Sequence, residues 1–193
     1  RRQSLRLGQY LRERHGAALR FDAVLTGTLR RQVQTWEGIA EGAQLADTPQ
    51  PGRAAPPQAP SVGARILWPG LNEYDSHAVI RAIHPEPLPR PGTPELYRQH
   101  FRLLREGLAR WMAGQAQPAG MPSYIDFVRG VMGALEHVRA NWDGPVLIVS
   151  SGGPIATTAW MIQTLSACDT FTPGLGPLDQ NEKKLQRNGS HAK

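Results

Sequence analysis

Two short segments that lie far apart in the sequence carry groups able to bind an anion. Residues 26–32 (Thr-Gly-Thr-Leu-Arg-Arg-Gln) offer hydroxyls and an arginine pair, and residues 149–154 (Val-Ser-Ser-Gly-Gly-Pro) offer hydroxyls and a glycine turn with free backbone N–H groups. Each segment follows a short apolar run, so each is expected where a buried strand ends and a helix begins. Ligands of open α/β sheets lie outside the carboxyl ends of the strands. The two segments therefore predict one pocket for an anion, a phosphate above all.

The arginine pair stands where cations are normally disfavoured. Arg30 and Arg31 begin a predicted helix, whose N-terminus is the positive end of its dipole. A phosphoryl group spreads negative charge over its oxygens in the transition state, and a fixed guanidinium stabilises that charge. We predict that Arg31 binds phosphate and that Arg30 faces solvent. The alternative is two exposed arginines that bind nothing.

A carboxylate and a cradle complete the predicted pocket. Glu73 lies in a predicted loop after a strand. A carboxyl beside a phosphate can protonate the leaving oxygen or activate water, so Glu73 is the predicted acid–base residue. The alternative is an exposed loop carboxylate. The hydroxyls of Thr28 and Ser151 and the backbone N–H of Gly152 are predicted to contact the phosphate.

Other motifs are weaker. A serine nucleophile elbow requires a glycine two residues before the serine, and Val149 stands there instead, so a serine hydrolase is not favoured. Residues 14–16 (Arg-His-Gly) resemble a catalytic tripeptide but end a predicted helix. No histidine has metal-ligand spacing, so the histidines are predicted to be structural or exposed, and neither a metal nor a cofactor is predicted.

The length, composition and net charge of the chain indicate a globular protein with an anionic ligand. The chain has 193 residues, 40% of them hydrophobic and 20% charged, and a net charge of +6 that comes mostly from arginine. The alternative is that the arginines form a solvated basic surface and bind no specific ligand. Scattered arginines without interleaved aromatics argue against nucleic acid, and no apolar stretch approaches the roughly 18–20 residues of a membrane span. The single cysteine, Cys168, predicts a reducing, cytoplasmic environment.

The hydropathy pattern alternates between strand and helix. Strands are predicted over residues 21–25, 64–68 and 146–149; helices over 2–15, 29–40, 94–113, 124–142 and from the glycine turn to about residue 165; and proline-rich loops over 49–63 and 85–93. This alternation predicts an α/β protein with a mostly parallel sheet in a three-layer αβα sandwich. Residues 1–168 are predicted to form the domain and residues 169–193 a polar, poorly ordered tail.

These segments resemble the histidine phosphatase superfamily, the phosphoglycerate mutase-like proteins. Residues 21–35 are similar to a family strand followed by Thr-Ser-x-Leu-x-Arg-Ala-x-Gln-Thr, residues 71–73 to the loop with the acid–base carboxylate, and residues 146–153 to the strand that ends in Ser-His-Gly-Gly. The resemblance covers residues 1–166. It implies a phosphoglycerate mutase-like fold and phosphohistidine chemistry on a phosphorylated small molecule or phosphoprotein. Arg31 would then bind the phosphate and Glu73 would move the proton.

Two departures from the family qualify this resemblance. The family's first strand, which ends in Arg-His-Gly and carries the nucleophilic histidine, is not in the chain, so the nucleophile is expected upstream of Arg1 and the domain incomplete at its N-terminus. Ser151 stands where the family has a second histidine. We therefore expect a phosphomonoester hydrolase or phosphotransferase. The sequence does not decide whether the protein forms an oligomer. The alternatives are a catalytically inactive relative that binds a phosphorylated ligand, and an unrelated α/β module.

Overall fold

The computed structural model describes residues 1–45 and 61–171, with side chains described as far as residue 163. This part of the chain contains six α-helices and three β-strands. In chain order they are α1 (Arg2–His15), β1 (Arg20–Thr26), α2 (Arg30–Ala43), β2 (Ser61–Leu67), α3 (Ser76–Arg81), α4 (Pro94–Met112), α5 (Tyr124–Asn141), β3 (Val146–Val149) and α6 (Gly152–Phe171). Short 3₁₀ turns follow α1, at Gly16–Ala18, and β2, at Pro69–Leu71.

The strands and helices predicted from the sequence are present, but α3 was not predicted, and α2 ends at Ala43, three residues after its predicted end. Two other bounds also differ. β2 begins at Ser61, inside the predicted loop, because Ser61 and Val62 pair with β1 and Val62 is buried. α6 continues to Phe171, beyond the predicted end and into the predicted tail, because no glycine or proline interrupts residues 155–171. Residues 49–60 of that predicted loop lie outside the described residues, and so do residues 172–193 of the predicted tail.

The three described strands form an open parallel sheet. Their order is β2-β1-β3, so β1 lies in the centre and pairs in parallel with both neighbours. Leu25 of β1, for example, lies beside Ile66 of β2 and Ile148 of β3. The predicted α/β class and parallel sheet are thereby confirmed.

Helices cover both faces of this sheet. Side chains alternate along a strand, and Val24 of β1 packs with Trp36 and Ile39 of α2 on one face, where Leu11 of α1 joins them. On the other face, the residues that flank Val24 in the chain, Ala23 and Leu25, pack with Ala134 and Val138 of α5. The arrangement is compatible with an αβα layout.

A separate cluster of aromatic side chains joins α4 to α5. Trp111 of α4 lies 5.4 Å from Phe127 and 5.3 Å from Tyr124, measured between ring centroids. Residues Arg1–Ile155 form one compact unit that includes the sheet, these clusters and the start of α6, and the rest of α6 belongs to a second unit. Among the helices of the described ranges, none has the length and hydropathy needed to cross a bilayer.

Candidate functional site

The segments that follow the three strands meet at one edge of the sheet. The N–H of Gly27, just after β1, donates to the carbonyl of Val149 at the end of β3 (N–O 3.3 Å), and the N–H of Trp68, just after β2, donates to the carbonyl of Thr26 (2.8 Å). The carboxyl ends of parallel strands share one edge of a sheet, so the loops after them converge. The two segments that the sequence selected therefore lie side by side.

Asn72 connects the loop after β2 to Thr28. The backbone N–H of Thr28 donates to Oδ1 of Asn72 at 2.7 Å, and Nδ2 of Asn72 donates to the hydroxyl of Thr28, also at 2.7 Å. Thr28 is exposed at the mouth of the site. Its hydroxyl is thus held by a side chain from another strand end.

Gln32 connects all three strand ends. Its side chain is 2% exposed. Nε2 of Gln32 donates to the carbonyl of Leu71 at 2.7 Å and to the hydroxyl of Ser151 at 3.0 Å, while Oε1 accepts the N–H of Leu29 at 3.3 Å. Sequence reasoning did not select Gln32. The available signal was its spacing, because Gln32 precedes the buried Trp36, Ile39 and Ala43 on the same stripe of α2.

The two serines after β3 have different partners. Ser150 donates its hydroxyl to the carbonyl of Leu71 at 2.8 Å, whereas Ser151 accepts from Gln32. The carbonyl of Leu71 therefore receives two hydrogen bonds, which match its two lone pairs. Of these two serines, only Ser151 has a hydroxyl hydrogen without a partner in the described part of the chain.

Glu73 lies at the N-terminus of α6. Both of its carboxylate oxygens accept the backbone N–H of Gly153, at 3.0 and 3.1 Å. A carboxylate at this end of a helix satisfies an unpaired N–H and complements the dipole. One N–H of the glycine turn is thus used by Glu73, whereas that of Gly152 makes no hydrogen bond within the described residues.

The loop that carries Asn72 and Glu73 is fixed against α4 and α5. A Cβ on Gly70 would collide with the carbonyl of Gly130, so the loop and α5 touch through their backbones. The ring of Tyr74 packs edge-on against Trp111 and Phe127, with centroid separations of 6.0 and 6.4 Å. Burial, and secondarily the negative charge of Glu73, raise the pKa of the Tyr74 phenol above its ordinary value.

Arg31 occupies the second position of α2, directly before Gln32. It is exposed, and its guanidinium makes no hydrogen bond or ion pair within residues 1–45 and 61–163. Arg30 is exposed and unpaired in the same sense, as predicted. The structure therefore gathers Thr28, Glu73, Ser151 and Gly152 at the strand ends, while the Arg31 side chain contacts none of them.

A cavity of about 300 Å³ opens beside Asn72 and Glu73. Its wall also includes Tyr74, Met121 and Phe127. It is large enough for a small organic group attached to a phosphate. A larger cavity, of about 630 Å³, lies between α1 and α2 and contains none of the predicted site residues.

None of the histidines in the described ranges has a hydrogen bond or ring contact to the candidate site residues. His15 is exposed at the last position of α1, as predicted for the Arg-His-Gly tripeptide, and His137 stacks on Trp68 with ring centroids 5.1 Å apart. Among the described residues, no group of three or more histidine, cysteine, aspartate or glutamate side chains could hold a metal ion.

No family model, curated protein or solved structure matches this chain.

Proposed function

We propose that the pocket at the strand ends binds the phosphate group of a phosphorylated small molecule or phosphoprotein. The observation that carries this proposal is that the Thr28 and Ser151 hydroxyls both lie at the edge of the sheet where α2 begins with two arginines that are unpaired within the described residues. Unpaired cations at the positive end of a helix are unfavourable unless an anion joins them. A guanidinium and hydroxyl donors are the groups that bind phosphate oxygens.

The reaction we propose is phosphomonoester hydrolysis or phosphotransfer through a phosphohistidine, with the nucleophile supplied from outside this chain. An imidazole nitrogen attacks phosphorus, the bond to the ester oxygen breaks, and that oxygen keeps the electron pair and takes a proton from Glu73. Water, or the hydroxyl of a second substrate, then attacks phosphorus, gives its proton to Glu73 and releases the imidazole. Arg31 stabilises the charge on the transferring group.

The strand that would carry this histidine can pair with β3. Among the strands of the described ranges, β3 lies at one edge of the sheet and consists of four apolar residues without a charge to protect that edge. The connection from β1 to β2 crosses the same face of the sheet that α1 covers. Crossover connections between parallel strands are almost always right-handed. A strand that precedes α1 and connects to β1 with this handedness therefore lies on the side of β1 that β3 occupies. Since β3 is already next to β1, that strand lies beyond β3. This supports a phosphoglycerate mutase-like arrangement.

The position of Glu73 supports its proposed role. Its carboxylate accepts from Gly153 through both oxygens, each of which keeps a further lone pair. The Glu73 carboxylate can therefore take a proton from an attacking water molecule. The cavity beside Glu73 leaves space for the group from which the phosphate is removed.

A second candidate function is binding of a phosphorylated ligand without turnover. The observation that favours it is Ser151, which stands where the resemblance places a second histidine and is hydrogen-bonded to the neutral amide of Gln32. A serine hydroxyl cannot carry the positive charge of an imidazolium. The phosphate would then be bound but not transferred.

Titration calorimetry with inorganic phosphate tests the binding proposal. We expect Arg31→Ala to weaken binding about tenfold or more, because a charge-assisted hydrogen bond contributes about 1.5–3 kcal/mol. Arg30→Ala is the matched control, since it removes the same charge from the neighbouring position, and we expect a change of less than about threefold. Equal effects of the two variants, or no binding by the wild type, would overturn the proposal.

The choice between turnover and binding alone requires the protein from its native cells. Release of p-nitrophenol from p-nitrophenyl phosphate, together with an acid-labile phosphoenzyme, would support the phosphatase. Phosphate binding without either signal would favour the second candidate function.

A further inference from the structure

We propose that Asn72 and Gln32 are positioning residues that turn the Thr28 and Ser151 hydroxyls into donors toward the ligand. The pocket then favours a ligand group with several negatively charged acceptor oxygens, such as a phosphoryl or sulfuryl group. This inference rests on the proposed function and extends it to the selectivity of the same site.

The orientation of the Asn72 amide follows from its backbone partner. The N–H of Thr28 can only donate, so the atom 2.7 Å from it is the carbonyl oxygen Oδ1. The other end of the amide, Nδ2, therefore faces the Thr28 hydroxyl at 2.7 Å and donates to it. Because the Thr28 oxygen accepts along this line, its own hydrogen points elsewhere.

The orientation of the Gln32 amide is fixed twice. The carbonyl of Leu71 can only accept, so the atom 2.7 Å from it is Nε2, and the N–H of Leu29 can only donate, so it faces Oε1. The hydroxyl of Ser151 lies 3.0 Å from Nε2 and must accept. Its hydrogen is directed away from Gln32.

Nearby acceptors do not capture these hydrogens. The two lone pairs of the Leu71 carbonyl are used by Gln32 and by the Ser150 hydroxyl. Neither Thr28 nor Ser151 donates its hydroxyl hydrogen to any residue in the described ranges. Two O–H donors therefore remain for a ligand.

Each free hydroxyl hydrogen pairs best with an oxygen that carries negative charge, because a charge-assisted hydrogen bond is roughly twice as strong as a neutral one. An oxyanion offers several such oxygens, whereas a neutral alcohol offers only an uncharged acceptor. We therefore expect inorganic sulfate to compete with inorganic phosphate, and neutral glycerol not to compete.

The variant Asn72→Asp reverses one hydroxyl without changing shape. One carboxylate oxygen still accepts the Thr28 N–H, but the other now accepts from the Thr28 hydroxyl, so the hydrogen turns away from the ligand. The affinity for inorganic phosphate is measured by calorimetry for the wild type, Asn72→Asp, Thr28→Val and the double variant. This double-mutant cycle separates the effect of losing the Thr28 hydroxyl as a donor from the repulsion between the added carboxylate and the phosphate.

We expect Asn72→Asp to weaken phosphate binding at least fivefold more in the wild-type background than in the Thr28→Val background. Additive effects would overturn the inference while leaving phosphate binding, and hence the proposed function, in place. No phosphate binding by the wild type would overturn both.

The pair of Gln32 and Ser151 provides a second cycle without an added charge, should Asn72→Asp fail to fold. Gln32→Met, Ser151→Ala and the double variant are compared in the same way, and a coupling of at least about threefold is expected. Thr35→Val is the control because the Thr35 hydroxyl donates to a backbone carbonyl on the exposed side of α2, and its phosphate affinity should stay within about twofold of the wild type. No coupling between Gln32 and Ser151 would contradict the inference.

Discussion

The side-chain nitrogen of Gln32 lies 3.0 Å from the hydroxyl oxygen of Ser151 and joins the first turn of α2 to the second residue after β3. The same amide reaches the loop after β2 through the carbonyl of Leu71. One buried side chain thus holds together the three segments that form the candidate site. Its removal should affect the fold as well as any ligand.

Gln32→Ala should lower the free energy of unfolding by about 2–3 kcal/mol, because it removes three hydrogen bonds and leaves buried groups unpaired. Urea unfolding measures this loss. Gln34→Ala is the matched control, since Gln34 is exposed on the same helix, and its effect should stay within about 0.5 kcal/mol. Equal stabilities of the two variants would contradict the role assigned to Gln32.

Gly153→Ala should displace Glu73 from the N-terminus of α6. An added Cβ would collide with a carboxylate oxygen of Glu73 and lie 2.7 Å from the ring of Tyr74. Such overpacking costs about 1–3 kcal/mol, which thermal or urea unfolding detects. At Gly152 the Cβ would lie 3.6 Å from Glu73, an ordinary contact, so Gly152→Ala should be tolerated. The prediction fails if Gly153→Ala is as stable as Gly152→Ala.

Tyr74→Phe should make the protein less sensitive to alkali. Burial raises the pKa of the folded Tyr74 phenol above 10.0, so the unfolded chain loses this proton first as pH rises. The stabilisation is therefore complete below about pH 10 and is lost as pH rises through the folded pKa. Urea midpoints from pH 8 to 11 should fall less steeply for Tyr74→Phe than for the wild type. Tyr97→Phe, at an exposed tyrosine, is the control and should follow the wild type.

Thr26→Val should stabilise the protein. Thr26 is fully buried at the end of β1, and its hydroxyl has no hydrogen-bond partner among the residues that the structure describes. An unpaired buried hydroxyl costs about 1–3 kcal/mol, and valine has nearly the same shape. Thr35→Val is the control because the Thr35 hydroxyl donates to the carbonyl of Arg31 and is exposed. A loss of stability in Thr26→Val would show that the hydroxyl has a partner in solution.

The sequence allowed the architecture of the site to be predicted, because it depends on local patterns. Apolar runs marked β1 and β3, and the convergence of residues 26–32 and 149–154 follows from parallel pairing. The start of β2 was missed because residues 61–63 follow a run of prolines, and only the pairing with β1 makes them a strand.

The hydrogen bonds within the site could not be predicted in the same way. Asn72 meets Thr28 across 44 residues and Gln32 meets Ser151 across 119, so these pairs exist only after the strands have assembled. Sequence reasoning placed ligand-binding N–H groups at the start of α6, but the choice of Glu73 as the partner of Gly153 depends on how the loop after β2 packs. The anchoring of that loop by Tyr74 is likewise tertiary.

The location of bound phosphate tests the central claim most directly. Amide chemical shifts of the ¹⁵N-labelled chain are followed by NMR during a titration with inorganic phosphate. The account predicts that the largest shifts fall on Thr28, Arg31, Ser151 and Gly152 and saturate with one dissociation constant. Shifts confined to other residues, or no saturable shift at all, would contradict it.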